Sequence, residues 1–499
     1  MLITMRTLAA VAVPVVVLTT AAAAPPAAAA QAPTAGAITW SPCRQDATID
    51  CGTLAVPVNW SDAKDGTVQL ALARRKAKDP RARIGSLVVD PGGPGGSGVQ
   101  LVLSDAIFSS QLKDRFDIVG FDPRGVGDSK ALVCDQSVLD ASPRSDPATS
   151  QGFADRVAYN RRLADNCRRR SGPLFDHVDD LSVVRDIDAI RAALGERKLT
   201  YYGVSYGTLM GQQYAEFYPD RIRALVLDSN MDHSSHTSEF FAEEAWADEA
   251  AFDEFTRWCA ASDKCSLHGQ DVGALFDRLY ERAKQGRLHY PDQPRDPITP
   301  DDLSMLPVRL LYGPQWPQLA DELASLDNGT PSALRVGAAD IQLPYYLMPA
   351  FCSDWRIELT SAAGVAGQRS ADAQLAPHLR ISGLAWSVGL LCLGRTAPVP
   401  NPQHPYRIQG APPILMVNNW YDPATPYAWA VDAASQIPSA TLLTYEGWGH
   451  GSYDKSPCVA DIVDSYLMTL ALPPRDTHCP AVMPANEVAS SDALPRTLF

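Results

Sequence analysis

Six short apolar runs end in turns rich in glycine, proline, asparagine or aspartate: Leu87-Val88-Val89, Phe116 to Phe121, Leu199 to Val204, Ile222 to Leu227, Pro413 to Asn418, and Thr441 to Tyr445. Their length and their bounding residues predict buried strands. Thr208 to Tyr218 reads as a helix between the third and fourth of them, the strand, helix, strand order of a layered α/β fold. A second group of segments carries apolar residues at helical spacing: Glu239 to Cys259, Val272 to Gln285, Thr299 to Leu311 and Trp316 to Leu326.

The turn between Leu199–Val204 and the following helix is Gly203-Val204-Ser205-Tyr206-Gly207. Two glycines let the chain pass sharply from strand to helix, so Ser205 stands exposed at a strained elbow above a helix N-terminus. A bare pentapeptide of this type could be a flexible turn; the flanking strand and helix favour a nucleophile. A nucleophilic serine also needs a base and a carboxylate, which in this arrangement follow in the order acid, then histidine. Asp422 lies in the loop after Pro413 to Asn418. His450 lies in Gly447-Trp448-Gly449-His450-Gly451 after Thr441 to Tyr445, the one histidine of nine placed directly behind a strand in a glycine-rich turn near the C-terminus. Asp454 is the weaker competitor for the acid. The third requirement, an oxyanion hole, is met by the glycine-rich loop Pro91 to Gly98. Its backbone N–H groups can approach a reacting carbonyl without side-chain obstruction, and the amide of Tyr206 is the second donor. The loop lacks the Gly-Lys-Ser/Thr ending of a phosphate-binding loop and the spacing of a dinucleotide site. Arg124, in Asp122-Pro123-Arg124-Gly125, is expected to have a structural role tied to carboxylates.

Five segments in this order, Pro91 to Gly98, Asp122 to Ser129, Gly203 to Thr208, Asp422 to Pro426 and Gly447 to Gly451, resemble the secreted tripeptidyl aminopeptidases, which are α/β hydrolases related to the proline iminopeptidases. The resemblance spans residues 38 to 480. It implies Ser205 as nucleophile, Asp422 as acid, His450 as base, and Gly93 with Tyr206 as oxyanion donors. Pro91 stands where proline iminopeptidases carry histidine, and Tyr206 where they carry tryptophan, which moves the chain toward the tripeptidyl and carboxylesterase-like branch.

Ser205 and Asp422 stand 217 residues apart, far more than one or two strand–helix units occupy. The expected organisation is therefore a signal peptide over 1–32, a first core part over 33–230, a helical cap over 231–400 and a closing core part over 401–499. A free α-amine on a substrate needs a carboxylate partner. The cap offers Glu239, Glu243, Glu244, Glu249 and Asp354; Asp354, with a cysteine and an aromatic beside it, is the first candidate and Glu243 the second.

With 46% hydrophobic and 20% charged residues, the 499-residue chain has the composition of a folded enzyme. Arg6, the apolar stretch Leu8 to Leu18 and the small residues Ala21 to Ala32 form a secretory signal pattern, and Pro14 argues against a membrane anchor. Ten cysteines suit an oxidising compartment and fall into neighbouring couples, Cys43 with Cys51, Cys134 with Cys167, Cys259 with Cys265, Cys352 with Cys392, and Cys458 with Cys479. No Cys-x-x-Cys or histidine grouping suggests a metal, and no cofactor is expected. A net charge of −14 argues against nucleic acid and anionic membranes. The reading is a secreted, monomeric serine exopeptidase acting on free peptide or protein N-termini; the alternatives are a carboxylesterase, a prolyl aminopeptidase, and a silent scaffold that only binds.

Overall fold

A computed structural model describes residues 36–484 apart from 106, 292 and 331–345; the expected signal peptide lies outside the described residues. The strands, in chain order, are β1 (Thr39–Pro42), β2 (Asp50–Pro57), β3 (Thr67–Arg75), β4 (Gly85–Asp90), β5 (Phe116–Phe121), β6 (Leu199–Val204), β7 (Ile222–Asp228), β8 (His289–Tyr290), β9 (Gln293–Pro297), β10 (Ile414–Tyr421), β11 (Ala440–Trp448) and β12 (His478–Cys479). Ten of them form one sheet in the order β1-β2-β3-β5-β4-β6-β7-β10-β11-β12, and β8 pairs with β9 separately. The antiparallel part runs from β1 to the β3–β5 pair, and from β5 to β12 every pair is parallel.

Alternation along the strands divides the core in two. Val88, Tyr201 and Leu225 face one layer with Leu163, Ile187 and Leu209. Leu87, Val89, Tyr202 and Val226 face the other with Val102, Val459 and Val463. Because both faces are covered, β4 and β5 are buried at every position, which is why they read as unbroken apolar runs. β4 has β5 on one side and β6 on the other. That reversal of strand order opens a crevice at the carboxyl ends of β4 and β6, where a ligand site is expected in an open parallel sheet.

Between β7 and β10 the described residues hold helices Thr237–Ala261, Val272–Lys284, Pro300–Tyr312, Trp316–Asn328, Leu347–Asp354, Ala362–Leu375 and Gly383–Cys392. The first four match the helical periodicity to within a few residues. The insertion is anchored on the core by aromatic packing: Phe240 stacks on Trp429 at 4.9 Å between centroids. All ten cysteines are paired, in the five neighbouring couples. Arg124 is fully buried; it forks onto Asp186 at 2.6 and 2.7 Å and donates to the carbonyls of Pro57, Val58 and His177. It thereby fixes the turn after β5 to the edge of the sheet.

Several boundaries differ from the sequence reading, three of them at the site. The helix after β6 starts at Tyr206, directly behind the serine. β10 reaches Tyr421 and β11 reaches Trp448, because parallel pairing of Tyr421 with Trp448 carries both strands past their apolar runs. The antiparallel strands β1 to β3 and the core helices Ser150–Ser171 and Asp180–Ala193 belong to the first core part and are absent from the sequence reading.

Candidate active site

The elbow has the backbone strain its sequence implies. Ser205 adopts φ 59°, ψ −125°, a region non-glycine residues rarely occupy. A Cβ on Gly203 would come within 2.5 Å of the Gly207 carbonyl, and one on Gly207 within 2.9 Å of Asp90 Oδ1. Only glycine fits at either place. Ser205 itself is partly exposed, as is Val204 before it, while Tyr206 behind it is buried.

Asp422 and His450, 28 residues apart in sequence, are brought together: His450 Nδ1 lies 3.0 and 3.1 Å from the two oxygens of Asp422. Asp422 is fully buried and His450 nearly so. Burial pushes the Asp422 carboxyl up, but the charge and hydrogen bond of His450 and the N–H groups of Thr425 and Ala424 outweigh it, leaving the group below the usual carboxylate range. Asp422 therefore stays ionised against the imidazole. Asp454, by contrast, is exposed and paired with Lys455.

Two residues at the end of β7 stitch the elbow to the histidine loop. The carbonyl of Asp228 accepts the Ser205 N–H at 3.0 Å, while its buried carboxylate accepts the N–H groups of Ser452 and Tyr453 and the hydroxyl of Tyr202. Ser229 donates its hydroxyl to Asp422 Oδ2 at 2.7 Å and accepts the Gly451 N–H at 2.8 Å. Asn419 adds donations to the carbonyls of Gly449 and Gly451, on either side of His450. From the insertion, the Tyr312 carbonyl accepts the His450 N–H at 2.8 Å and its ring meets the imidazole edge-on at 5.0 Å. Ser229, Thr425 and Tyr312 escaped the sequence reading. Ser229 was the most accessible of them, since it follows β7 at the carboxyl edge of the sheet, where sites form.

The glycine loop backs onto the elbow. A Cβ on Gly92 (φ +86°) would lie 2.3 Å from the Val204 carbonyl and 2.9 Å from Tyr206 N, so Gly92 runs beside the amide that follows Ser205. Asp90 Oδ1 holds the loop by accepting the Gly92 N–H at 2.7 Å.

The two candidates for the amine site separate. Asp354 is fully buried, and its carboxyl accepts from Asn401 Nδ2 (2.8 Å), the Asp180 N–H (2.9 Å) and the Tyr206 hydroxyl (2.6 Å). These contacts turn it inward, to the elbow, and not toward an open cleft. Glu243 is half-buried, and burial together with Asp432, Asp232 and Glu239 pushes its carboxyl up to about 7. Glu239 closes a capping box at the head of its own helix, and Glu244 and Glu249 accept the N–H groups of Ala385, His378 and Leu379. Among the described residues no group of three His, Cys, Asp or Glu side chains is arranged to hold a metal ion.

Known proteins resemble this chain over most of its length. Residues 85–457 match the family described as alpha/beta hydrolase fold. The chain is 32% identical to serine protease Hip1 of Mycobacterium tuberculosis, covering 89% of this chain and 91% of that one. It is 31% identical to a tripeptidyl aminopeptidase of Streptomyces coelicolor (90% and 87%) and to carboxylesterase B of Mycobacterium tuberculosis (88% and 89%). The chain belongs to the α/β hydrolase family, as a serine hydrolase related to the tripeptidyl aminopeptidases.

Proposed function

We propose that this protein is a secreted serine exopeptidase that releases short peptides, tripeptides first among them, from free N-termini. The observation that carries the reading is the buried Asp422–His450 pair tied through Ser229 and Asp228 to the loop and elbow that present Ser205. In this reading Asp422 fixes the tautomer with the proton on Nδ1, so Nε2 takes the Ser205 proton as Oγ attacks the scissile carbonyl. The N–H groups of Gly93 and Tyr206 stabilise the oxyanion. The same imidazolium then protonates the departing amine. Water, deprotonated by His450, resolves the acyl-enzyme and returns Ser205.

Two names among the relatives, a tripeptidyl aminopeptidase and a serine protease, support peptide substrates. Five disulfides support an oxidising, extracellular setting. For the substrate ammonium the proposed partner is Glu243, whose acidic neighbours attract a cation and whose carboxyl keeps some exposure. A carboxylesterase is the second reading, favoured by the carboxylesterase relative of similar coverage. Side-by-side assay of free-amine tripeptidyl, aminoacyl and short acyl-ester chromogenic substrates separates the two. The exopeptidase reading expects the highest kcat/KM on the tripeptidyl substrate; a preference for the ester by tenfold or more, on the order of 1.4 kcal/mol, would overturn it.

A further inference from the structure

Behind the glycine loop and the elbow lie three carboxyls that acyl transfer does not use. Asp90 ends β4, Asp180 opens the helix Asp180–Ala193, and Asp354 ends the insertion helix Leu347–Asp354; none is more than 1% exposed. Each of the two backbone segments read as donating to the oxyanion is held by one of them. Asp90 accepts the N–H of Gly92, next to Gly93, and Asp354 accepts the hydroxyl of Tyr206. Asp180 joins the set through its N–H to Asp354. Asp90 Oδ2 and both oxygens of Asp180 are buried without a hydrogen-bond partner.

The surroundings offer these groups little positive charge. On the helix Asp180–Ala193 side stands Asp179, another acid, whose carboxylate caps its own helix. Tyr201 and Tyr206 flank from the sheet and elbow, Tyr346 and Tyr406 from the insertion and the segment after it, and burial keeps all four phenols neutral. The Arg124 guanidinium is occupied by Asp186 and three carbonyls. Arg395 is exposed, and His233, held neutral by burial, meets the Asp354 carbonyl and not its carboxyl. Buried anions so placed are costlier than protonated acids. Burial first, then the charge of Asp179, pushes Asp354 up to about 8; burial, then the charges of Asp354 and Asp90, takes Asp180 well above the carboxylate range; and burial with Asp122 takes Asp90 to about 7.

We propose that Asp90, Asp180 and Asp354 form a proton-sharing carboxyl cluster that positions the oxyanion hole from behind, and that the hole keeps its shape only while the cluster keeps its protons. The inference rests on the serine hydrolase reading above. Protonated, a carboxyl can donate to an oxygen that otherwise has no partner. Once protons leave, like charges confined in one buried site push Asp354 off Tyr206 and Asp90 off Gly92, and both oxyanion donors lose their support. Since Asp354 belongs to the insertion, the cluster also fastens that insertion to the hole. All three act as positioning residues.

The test is the pH dependence of kcat/KM from pH 6 to 10 on a short acyl ester that has no amine, corrected for spontaneous hydrolysis, so that substrate titration cannot produce an alkaline limb. The wild-type enzyme is expected to lose about tenfold between pH 7 and pH 9, as for one essential proton leaving near pH 8. Asp354→Asn, the isostere of the protonated acid, should bring the ratio of rates at pH 9 and pH 7 close to one whatever its absolute rate. Asp180→Asn should do the same. Asp354→Ala, which leaves the Tyr206 hydroxyl unheld, should be slow at every pH. A wild-type profile flat from pH 7 to 9, or an alkaline loss unchanged in both Asn variants, overturns the cluster and leaves the hydrolase reading standing. Absence of Ser205-dependent ester turnover at any pH overturns both.

Discussion

Ser229 is hydrogen-bonded to Asp422: its hydroxyl donates to Oδ2 at 2.7 Å while accepting the N–H of Gly451, the residue after His450. One side chain therefore sets the distance between the carboxylate and the histidine loop. Ser229→Ala removes a donor from a buried, ionised acid, a loss of about 1.5–3 kcal/mol in general. Thr425 Oγ1 still donates to the same oxygen at 3.0 Å, which places the effect at the low end. The expected outcome is a kcat about tenfold lower with KM little changed, read from steady-state kinetics. An unchanged kcat would show that the bridge does not orient the acid.

The amine site is tested at the substrate. N-acetylation of a good tripeptidyl substrate removes its charge, and a carboxylate left without its cation should lower kcat/KM by at least about tenfold. Glu243→Gln should weaken the free-amine substrate and spare the acyl ester. Equal cleavage of blocked and free peptides would make the enzyme an endopeptidase or an esterase. An acetylation effect that survives in Glu243→Gln would instead move the amine partner to another residue.

The disulfide pattern gives a count. Denatured, unreduced protein from an oxidising host should show no titratable thiol, since all ten cysteines are paired. Loss of one bridge typically costs about 2–5 kcal/mol. Two or more thiols per chain would contradict the pairing.

Stability should favour mild acid. Burial raises Asp354 and Asp90 to about 8 and about 7, and it raises Asp180, Glu244 and Asp248 as well. A carboxyl whose folded value exceeds its unfolded value of about 4 binds its proton more tightly in the native state. Its contribution is complete below the unfolded value and is lost as pH rises through the folded one. Between pH 5.5 and 8.5 the melting temperature is expected to fall by about 5 °C, the equivalent of ~5 kcal/mol in a chain of this size. A melting temperature that rises over this range, followed by circular dichroism, would contradict the burial of these groups as neutral acids.

The strands that carry the site were readable because each is a short apolar run that ends in a turn rich in glycine, proline, asparagine or aspartate, and the elbow because glycine at 203 and 207 is sterically required. The order Ser205, Asp422, His450 carried the rest. What escaped depends on contacts across the fold. Ser229 is an ordinary serine until β7 is set beside β10, and Tyr312 meets His450 only once the insertion folds back. Asp354 illustrates the same limit from the other side. The cysteine and aromatic beside it singled it out, but its partners, the Tyr206 hydroxyl, Asn401 and the Asp180 N–H, are 148, 47 and 174 residues away, and no local pattern announces them.

The central claim, that Ser205 is the nucleophile of a triad with His450 and Asp422, meets its most direct test in covalent labelling with a fluorophosphonate. Intact-mass analysis should show one adduct per chain, peptide mapping should place it on Ser205, and Ser205→Ala should fold normally, take no label and lose turnover by about 10⁴-fold or more. Labelling at another residue, or substantial peptide or ester cleavage by pure Ser205→Ala protein, would contradict the account.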